Sequence, residues 1–325
     1  MIPGAAGTVR TVSGPLCPSA VRGPVLAHEH LALDLRRPGR PAAFLDGRHE
    51  GAIVAELAAL REQFGLSLVV EQTCRGMGRD VAALARVSAA SGVAVVAGTG
   101  WYCAPFHPPD VRRADVGRLV EILTRDVVDG IGPARIRPGL IGEAGSHGDR
   151  PGAPERRTLT AAARTAVRTG LPVATHTRLG RGGLAQLALL TAQGLAPHRI
   201  AIGHQDLLDD PAVHRRIAAE GAYVAFDTVG KTAYQDDAAR LRLLLALLDA
   251  GHADRILLSC DISRHTYLAG QGGQGYGYLF RTFLPRVRAA GVSGDVVDLM
   301  TRRNPLRFLA GPGLPGGQAS ATRSR

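Results

Sequence analysis

Two histidines lie one residue apart in an apolar segment near the start of the chain, VLAHEHL at residues 25–31. In an extended strand alternate side chains leave on the same face, so His28 and His30 would point one way and Glu29 the other. On a helix the same spacing would separate the two imidazoles by about 200°. The pair therefore predicts a shared metal site only if the segment is a strand. Taken alone, the motif also fits two histidines buried in a core.

Polar side chains recur at the ends of later apolar segments. They are Glu143 in GLIGEAG, His176 in LPVATHT, His204 in RIAIGHQD and Asp261 in RILLSCD. Barrel enzymes place their catalytic groups at the carboxyl ends of parallel strands, where these four side chains would meet His28 and His30. Four imidazoles and two carboxylates suit two zinc, manganese or cobalt ions bridged by one carboxylate. Any one of the six could be a core polar group, but together they predict a metal centre.

Eight short runs rich in Val, Ile and Leu supply strands that could position these residues. They are residues 25–31, 66–73, 93–101, 139–145, 171–177, 199–206, 222–228 and 255–261. The segments between them repeat apolar residues at helical spacing and close on a glycine, as helices often do. This alternation predicts a (β/α)8 TIM barrel, with a doubly wound sheet as the alternative. Residues 7–16 predict a short N-terminal β-hairpin on the barrel floor, and residues 294–310 predict a C-terminal closing helix.

Composition narrows the class of protein. The chain has 325 residues, 45% of them hydrophobic, which is enough for one large core. We expect a single domain at residues 1–310 and a disordered tail at 311–325. The net charge of +11 comes from scattered arginines without a basic stripe, which argues against nucleic-acid binding. Four widely separated cysteines and the lack of a long apolar run favour a reduced, cytoplasmic protein that binds no membrane.

The chain resembles the phosphotriesterase family of the amidohydrolase superfamily over roughly residues 7–310. The resemblance lies in an ordered set of motifs: GPVLAHEHL, GLIGEAG, VATHT, IGHQD, LLSCDI, GYGYLFRTFLPRVRAAGVS and NPLRFLA. It implies a hydrolase with a binuclear metal centre, in which His28, His30 and Asp261 hold the buried ion. His176 and His204 would hold the more exposed one. Zinc is the first expectation for the ions, with manganese or cobalt as alternatives, and a homodimer is the expected assembly.

The bridging ligand departs from many members of that family. Those members use a carboxylated lysine from strand four, but Lys231 is the only lysine in this chain and lies elsewhere. Glu143 is then the expected bridge, as in the glutamate-bridged branch of the family. The alternative, an ordinary surface acid, does not fit so apolar a stretch, because an unpaired buried charge is costly.

The expected chemistry follows from the two ions. They lower the pKa of the water between them, so that a hydroxide is available as nucleophile near neutral pH. Asp261 is the expected general base, because it can take the nucleophile's proton and pass it to the leaving group. Tyr102 stands where lactonase-type relatives place a tyrosine that hydrogen-bonds the metal-bound oxygen. The alternative is that Tyr102 only packs in the mouth of the barrel.

Cationic side chains follow several of the predicted strands and indicate an anionic small-molecule substrate. They are Arg178 after strand five, Lys231 after strand seven, and Arg264 and His265 after strand eight. Long cationic side chains are suited to carboxylate or phosphate groups. The alternative for each of them is a solvated loop charge.

The bond that is cleaved stays open between three reaction types. Strand seven ends in Asp227-Thr228, where organophosphate-degrading relatives carry a histidine after the aspartate, so efficient phosphotriester hydrolysis is in doubt. We rank carboxylic ester or lactone hydrolysis first, phosphoester hydrolysis second, and amide hydrolysis of N-acyl amino acid-like compounds third. A non-catalytic metal-binding barrel is the alternative of another class, and Asp261 counts against it.

Overall fold

Strands and helices alternate along the chain in the computed structural model, which describes residues 7–39 and 41–311. The strands are β1 Val9–Thr11, β2 Gly14–Leu16, β3 Val25–Glu29, β4 Leu33–Asp34, β5 Phe44–Leu45, β6 Leu68–Glu71, β7 Ala94–Val96, β8 Gly98–Thr99, β9 Leu140–Ser146, β10 Val173–Thr177, β11 Ile200–Ile202, β12 Tyr223–Phe226 and β13 Ile256–Leu258. The helices are α1 Glu50–Phe64, α2 Val81–Ser91, α3 Pro109–Arg113, α4 Val116–Asp129, α5 Ala153–Thr169, α6 Gly183–Thr191, α7 Pro211–Ala219, α8 Asp237–Asp249, α9 Leu284–Ala289, α10 Gly294–Asp298 and α11 Asn304–Ala310.

The parallel strands form the wall of a TIM barrel. β3, β6 and β7 pair in that order, and β8 to β13 pair in sequence order. β7 and β8 are two parts of one predicted strand, separated by Ala97. The wall closes where the backbone N–H of Asp261, beyond β13, donates to the carbonyl of His28 in β3 at 3.2 Å. The predicted (β/α)8 fold is therefore confirmed.

The two predicted end pieces of the barrel are also present. β1 and β2 form an antiparallel hairpin, and Val12 beyond β1 donates its N–H to the carbonyl of Val95 in β7. α10 and α11 are joined by a π-helical turn, Leu299–Arg303, into one closing helical segment. Leu306 and Phe308 of that segment pack in one buried cluster with the first residues of β3 and β6. The expected C-terminal tail lies outside the described residues from position 312 onward.

Glycines end several helices as predicted. Gly65, Gly92 and Gly170 follow α1, α2 and α5 with φ of +70°, +68° and +74°, a conformation that glycine adopts without steric cost. α6, α7 and α8 instead end two or three residues before the predicted glycine. The reason is that the last turn tightens: the N–H groups of Gly194, Gly221 and Gly251 each donate to the carbonyl three residues earlier.

Two expectations from composition can be compared with the fold. All four cysteines are free, Cys17 exposed and the other three buried, so they form no disulfide framework. Within residues 7–39 and 41–311, every helix is too short or too polar to cross a membrane.

Candidate metal centre

The six predicted metal ligands meet at the carboxyl ends of the barrel strands. His28 lies in β3 and His30 just beyond it, Glu143 lies in β9, His176 in β10, His204 follows β11, and Asp261 follows β13. The rings of His28 and His30 have centroids 5.5 Å apart, which is consistent with two side chains on one face of a strand. Five of the six residues are buried, and the side chain of His176 is 14% exposed.

Glu143 lies at the middle of this cluster, and its two oxygens face different partners. Oε1 is 3.4 Å from His30 Nε2. Oε2 is 3.0 Å from His176 Nδ1 and 3.5 Å from His204 Nε2. His28 Nε2 lies 3.7 Å from the same Oε2 atom. Both oxygens of this carboxylate therefore have imidazole nitrogens within 3.7 Å.

Two of the candidate metal-binding groups consist only of predicted ligands. One is His28, His30 and Asp261, and the other is Glu143, His176 and His204; within each group the ligand atoms lie within 4.8 Å of one another. His28 Nε2 is buried and has no hydrogen-bond partner in the part of the chain that the structure describes. A desolvated nitrogen lone pair is costly unless something binds it. Imidazole and carboxylate donors of this kind fit transition-metal ions.

The electrostatics of the cluster also favour a bound cation. Burial raises the pKa of Glu143, but the neighbouring His176 and His204 outweigh burial and hold that pKa well below its usual value. Burial lowers the pKa of His30, yet Asp261 and Glu143 raise it to about 10. The carboxylates of the site therefore favour positive charge at this position.

Asp227 orients two of the histidines and was missed as a site residue by the sequence analysis. Its Oδ2 is 2.7 Å from His28 Nδ1, and its Oδ1 is 2.8 Å from both His204 Nδ1 and the His204 backbone nitrogen. With Nδ1 engaged, each imidazole presents Nε2 to Glu143. A carboxylate behind a metal-binding histidine fixes the ring and raises its basicity. The available signal was position, because Asp227 follows β12 at the same barrel end as the six predicted ligands.

His30 is oriented by a second pair of polar residues from β6 and its end. Its Nδ1 lies 2.9 Å from the Thr73 hydroxyl, which donates in turn to the carboxylate of Glu71. Burial raises the pKa of Glu71, although His30 and Thr73 oppose that shift. This arrangement leaves His30 Nε2 facing Glu143 and Asp261. Sequence reasoning missed Glu71 and Thr73, although both stand in the predicted strand VVEQT.

The model of the phosphotriesterase family matches residues 7–309 of the chain. The chain belongs to the phosphotriesterase family. The resemblance in the sequence motifs is thus confirmed, and this family member is a metal-dependent hydrolase.

Known relatives of this family member span several hydrolase activities. A phosphotriesterase homology protein of Escherichia coli (strain K12) is 38% identical over 287 residues, which cover 88% of this chain and 97% of that protein. A crystal structure of the E. coli homology protein, complexed with phosphate in its active site, has a TM-score of 0.86 at 37% identity and covers 89% of this chain and 99% of that one. An N-acetyltaurine hydrolase of Danio rerio is 27% identical, covering 93% and 98% of the two chains. A lactonase of Listeria monocytogenes has a TM-score of 0.85 at 25% identity, covering 93% and 98%.

A cavity of about 250 Å³ opens above the metal centre of this phosphotriesterase-family protein. Tyr102 lines it and is buried, and its hydroxyl lies 3.2 Å from His176 Nε2. The Tyr102 ring also lies against Phe106, with centroids 5.1 Å apart. The predicted tyrosine thus contacts a candidate ligand and packs in the mouth of the barrel at the same time.

Lys231 lines the cavity, but it differs from the solvated loop lysine that the sequence allowed. It is buried, and its ammonium donates to Asp261 Oδ2 and, at 3.1 Å, to the Ser263 hydroxyl. Burial lowers the pKa of Lys231, but Asp261 outweighs burial and raises it. Burial raises the pKa of Asp261 in return, and Lys231 is the main cause of its net decrease. The main electrostatic effect of Lys231 is therefore to lower the pKa of Asp261, the predicted general base.

The remaining predicted substrate contacts divide into two groups. Arg178 and Arg264 line the cavity, the first exposed and the second half-buried with a hydrogen bond to the Tyr234 hydroxyl at 3.2 Å. The structure does not bring His265 to the cavity. Its ring packs against Phe44 and His49, with centroids 4.8 and 5.4 Å away, because the helical turn His265–Tyr267 carries it toward the start of α1.

Proposed function

We propose that this chain is a binuclear metal-dependent hydrolase that attacks the carbonyl of a carboxylic ester or lactone in an anionic small molecule. The observation that carries the proposal is the position of Glu143, whose two oxygens face different donors around the cluster. Zinc is our first choice of ion, with manganese or cobalt as alternatives, because imidazole and carboxylate donors suit all three.

Two bound ions would supply a hydroxide near neutral pH and polarise the carbonyl oxygen of the substrate. The residues that hold the ions are divided between two positions. His28, His30 and Asp261 would hold the buried ion, His176 and His204 would hold the more exposed ion, and Glu143 would serve as the bridging ligand.

Asp261 is the proposed general base. Its Oδ1 lies 3.2 Å from His30 Nε2, whereas Oδ2 accepts a hydrogen bond from the Lys231 ammonium. Oδ2 is therefore the atom proposed to take the proton of the nucleophile and pass it to the leaving group. Lys231 keeps this carboxylate ionised before the transfer, and Ser263 offers the ammonium a second acceptor while Asp261 holds the proton.

Positive charge around the cavity supports an anionic substrate. Arg178 and Arg264 both line it, and a guanidinium can bind a carboxylate or phosphate through two parallel hydrogen bonds. The phosphate in the active site of the E. coli homology protein supports anion binding close to the metal centre. Lys231 adds to the positive charge around the cavity, although its ammonium already donates one hydrogen bond to Asp261.

A second candidate function is hydrolysis of the amide bond of an N-acyl amino acid-like compound. The similarity to N-acetyltaurine hydrolases over 93% of the chain favours it. Both candidate reactions begin with attack on a carbonyl in a molecule that also carries an anionic group. Phosphoester hydrolysis stays as a third alternative for experiment.

The first experiment measures the metal content of the purified protein by elemental mass spectrometry. We expect about two transition-metal ions per chain and one or fewer in Glu143→Gln. Asp126→Asn is the matched control, because Asp126 is also buried but pairs with Arg79, accepts a hydrogen bond from the Thr99 hydroxyl and belongs to none of the candidate metal-binding groups among the described residues. One ion or none in the folded, metal-supplied wild-type protein would overturn the binuclear proposal.

The second experiment measures kcat/KM for lactones, N-acyl amino acids and phosphoesters, each in an anionic and a neutral version. The proposal expects the highest value for an anionic lactone or ester. A preference for anionic N-acyl compounds would favour the second candidate. A protein that holds two ions and turns over none of the three classes would instead be a non-catalytic metal-binding barrel.

A further inference from the structure

Glu29, the residue between the two histidines of VLAHEHL, is buried on the opposite face of β3. It is 0% exposed. Within the described ranges no arginine, lysine or histidine forms an ion pair with Glu29. A buried carboxylate without a cationic partner is costly, so its remaining contacts must account for its presence.

Those contacts all go to the segment after β13. Glu29 Oε1 accepts hydrogen bonds from the Ser259 hydroxyl at 2.7 Å and from the Cys260 backbone N–H at 2.9 Å. Glu29 Oε2 accepts one from the Ile262 backbone N–H at 2.7 Å. The two backbone groups are those immediately before and after Asp261. One carboxylate therefore holds the chain on both sides of a candidate metal ligand and general base.

The hydrogen bonds from Cys260 and Ile262 to Glu29 matter because the backbone of Asp261 is strained. Its φ is +50°, in the left-handed region that a residue with a Cβ adopts at a cost of about 1 kcal/mol. Strained residues persist only where the surrounding structure fixes them. Without the contacts at Cys260 and Ile262, the backbone could relax to negative φ and turn the Asp261 carboxylate away from His30.

We propose that Glu29 is a positioning residue for Asp261, and that this three-point contact sets the geometry of the metal centre. The inference rests on the proposed function, in which Asp261 is a metal ligand. It assigns a role to each residue of His28-Glu29-His30: the two histidines face the centre, and the glutamate between them fixes a third ligand that lies more than 230 residues away.

Glu29→Gln is the sharpest variant because it keeps the shape of the side chain. In one amide orientation the new NH₂ group faces the Ile262 N–H, and in the other it faces the Cys260 N–H. Either way one buried backbone donor loses its acceptor.

Glu56→Gln is the matched control. Glu56 on α1 also binds two backbone N–H groups of the segment after β13, those of Ala269 at 2.7 Å and Tyr276 at 3.1 Å. Neither N–H group belongs to a residue next to a candidate ligand in the sequence, although the Tyr276 hydroxyl donates to the backbone carbonyl of His30 at 2.7 Å. A general loss of anchoring in this segment would therefore affect both variants, whereas positioning of Asp261 would be affected only in Glu29→Gln.

The experiment measures zinc affinity by competition with a chromophoric chelator, together with the visible spectrum of the cobalt-loaded protein. We expect Glu29→Gln to bind zinc about 10- to 100-fold more weakly and to change the cobalt absorption bands. Glu56→Gln should lower the unfolding temperature and leave both metal readouts unchanged. Wild-type affinity and spectrum in a folded Glu29→Gln protein would overturn the inference, as would an equal loss in both variants.

Two further measurements keep the test decisive. If Glu29→Gln does not fold, Ser259→Ala removes one hydrogen bond from the same carboxylate and should weaken zinc about two- to fivefold; an unchanged affinity would contradict the inference. Amide hydrogen exchange in the metal-free protein separates it from the proposed function. Glu29→Gln should accelerate exchange at Cys260 or Ile262 at least about tenfold, even if the wild-type chain proves to bind no ions and the binuclear proposal fails.

Discussion

Two buried polar clusters lie next to each other at the carboxyl ends of β11 and β12, and their buried carboxylates are compensated by different groups. One is the metal centre around Glu143. The other surrounds Arg240 of α8, which is 0% exposed and donates through all three of its nitrogens. Its acceptors are Asp206 Oδ2, Asp237 Oδ1, the Thr228 hydroxyl and the carbonyls of Gln235 and Lys231.

The Arg240 cluster contains its own cation, whereas the metal centre has carboxylates and neutral nitrogens in excess. Asp206 and Asp237 each form an ion pair with the same guanidinium. In the metal centre, Lys231 neutralises Asp261, but Glu143 relies on imidazoles and His28 Nε2 has no partner in the described chain. The Arg240 cluster supplies hydrogen-bond acceptors for its own cation, as a structural cluster does. The metal centre leaves the buried Nε2 lone pair of His28 without a partner in the described chain, as a candidate metal site would.

The largest expected effect is on turnover at the metal centre. Asp261→Asn keeps the side-chain shape but removes the basic oxygen that faces Lys231. We expect kcat to fall at least about 10³-fold, which is about 4 kcal/mol of transition-state stabilisation. Because Lys231 then stays buried without its carboxylate, the free energy of unfolding should also fall, by about 3 kcal/mol. The check is turnover of the best substrate from the panel, and a rate near that of the wild type would contradict the role of Asp261.

The second prediction breaks the structural cluster and spares the metal centre. Arg240→Met leaves Asp206 and Asp237 buried without their cation, so we expect a loss of about 3 kcal/mol in the free energy of unfolding. Urea denaturation measures this loss, and the metal content should not change. Arg242→Met is the control, because Arg242 forms an exposed pair with Asp209, so its loss should leave the free energy of unfolding nearly unchanged. Equal losses in the two variants would refute the distinction.

The third prediction concerns Asp227, which contacts two histidines of the metal centre without being one of the predicted ligands. Asp227→Asn weakens the hold on the Nδ1 atoms of His28 and His204, so we expect zinc affinity to fall about 10- to 100-fold. Asp210→Asn serves as the control, because Asp210 caps α7 through backbone N–H groups and lies outside the metal centre. Unchanged zinc affinity in Asp227→Asn, measured by chelator competition, would rule out the orienting role.

The smallest expected effect lies at the rim of the cavity. Arg178→Met removes an exposed charge, so we expect KM for anionic substrates to rise less than about tenfold, with kcat and the KM of neutral substrates nearly constant. Arg181→Met is matched to it, since Arg181 is also exposed but pairs with Asp149 and does not line the cavity. Equal changes for anionic and neutral substrates would mean that Arg178 does not recognise the anion.

The candidate ligands were predictable because strand periodicity and strand ends are local properties of the sequence. His28 and His30 alternate with Glu29, and Glu143 stands in an apolar run that contains no other charge. The substrate contacts were less predictable. Lys231 and His265 each follow a strand in sequence, yet one is buried against Asp261 and the other packs beside α1. The path of a long loop depends on the surfaces it packs against, which local patterns do not encode.

The sequence by itself determined the alternating barrel, the six residues at its strand ends and the absence of a lysine from strand four. Only the tertiary structure decided which carboxylates support them. Asp227 meets His28 across 199 positions of the chain, and Glu29 meets Ile262 across 233. Periodicity tells which face of a strand a side chain occupies, but hydrogen-bond partners on distant strands become neighbours only when the barrel closes.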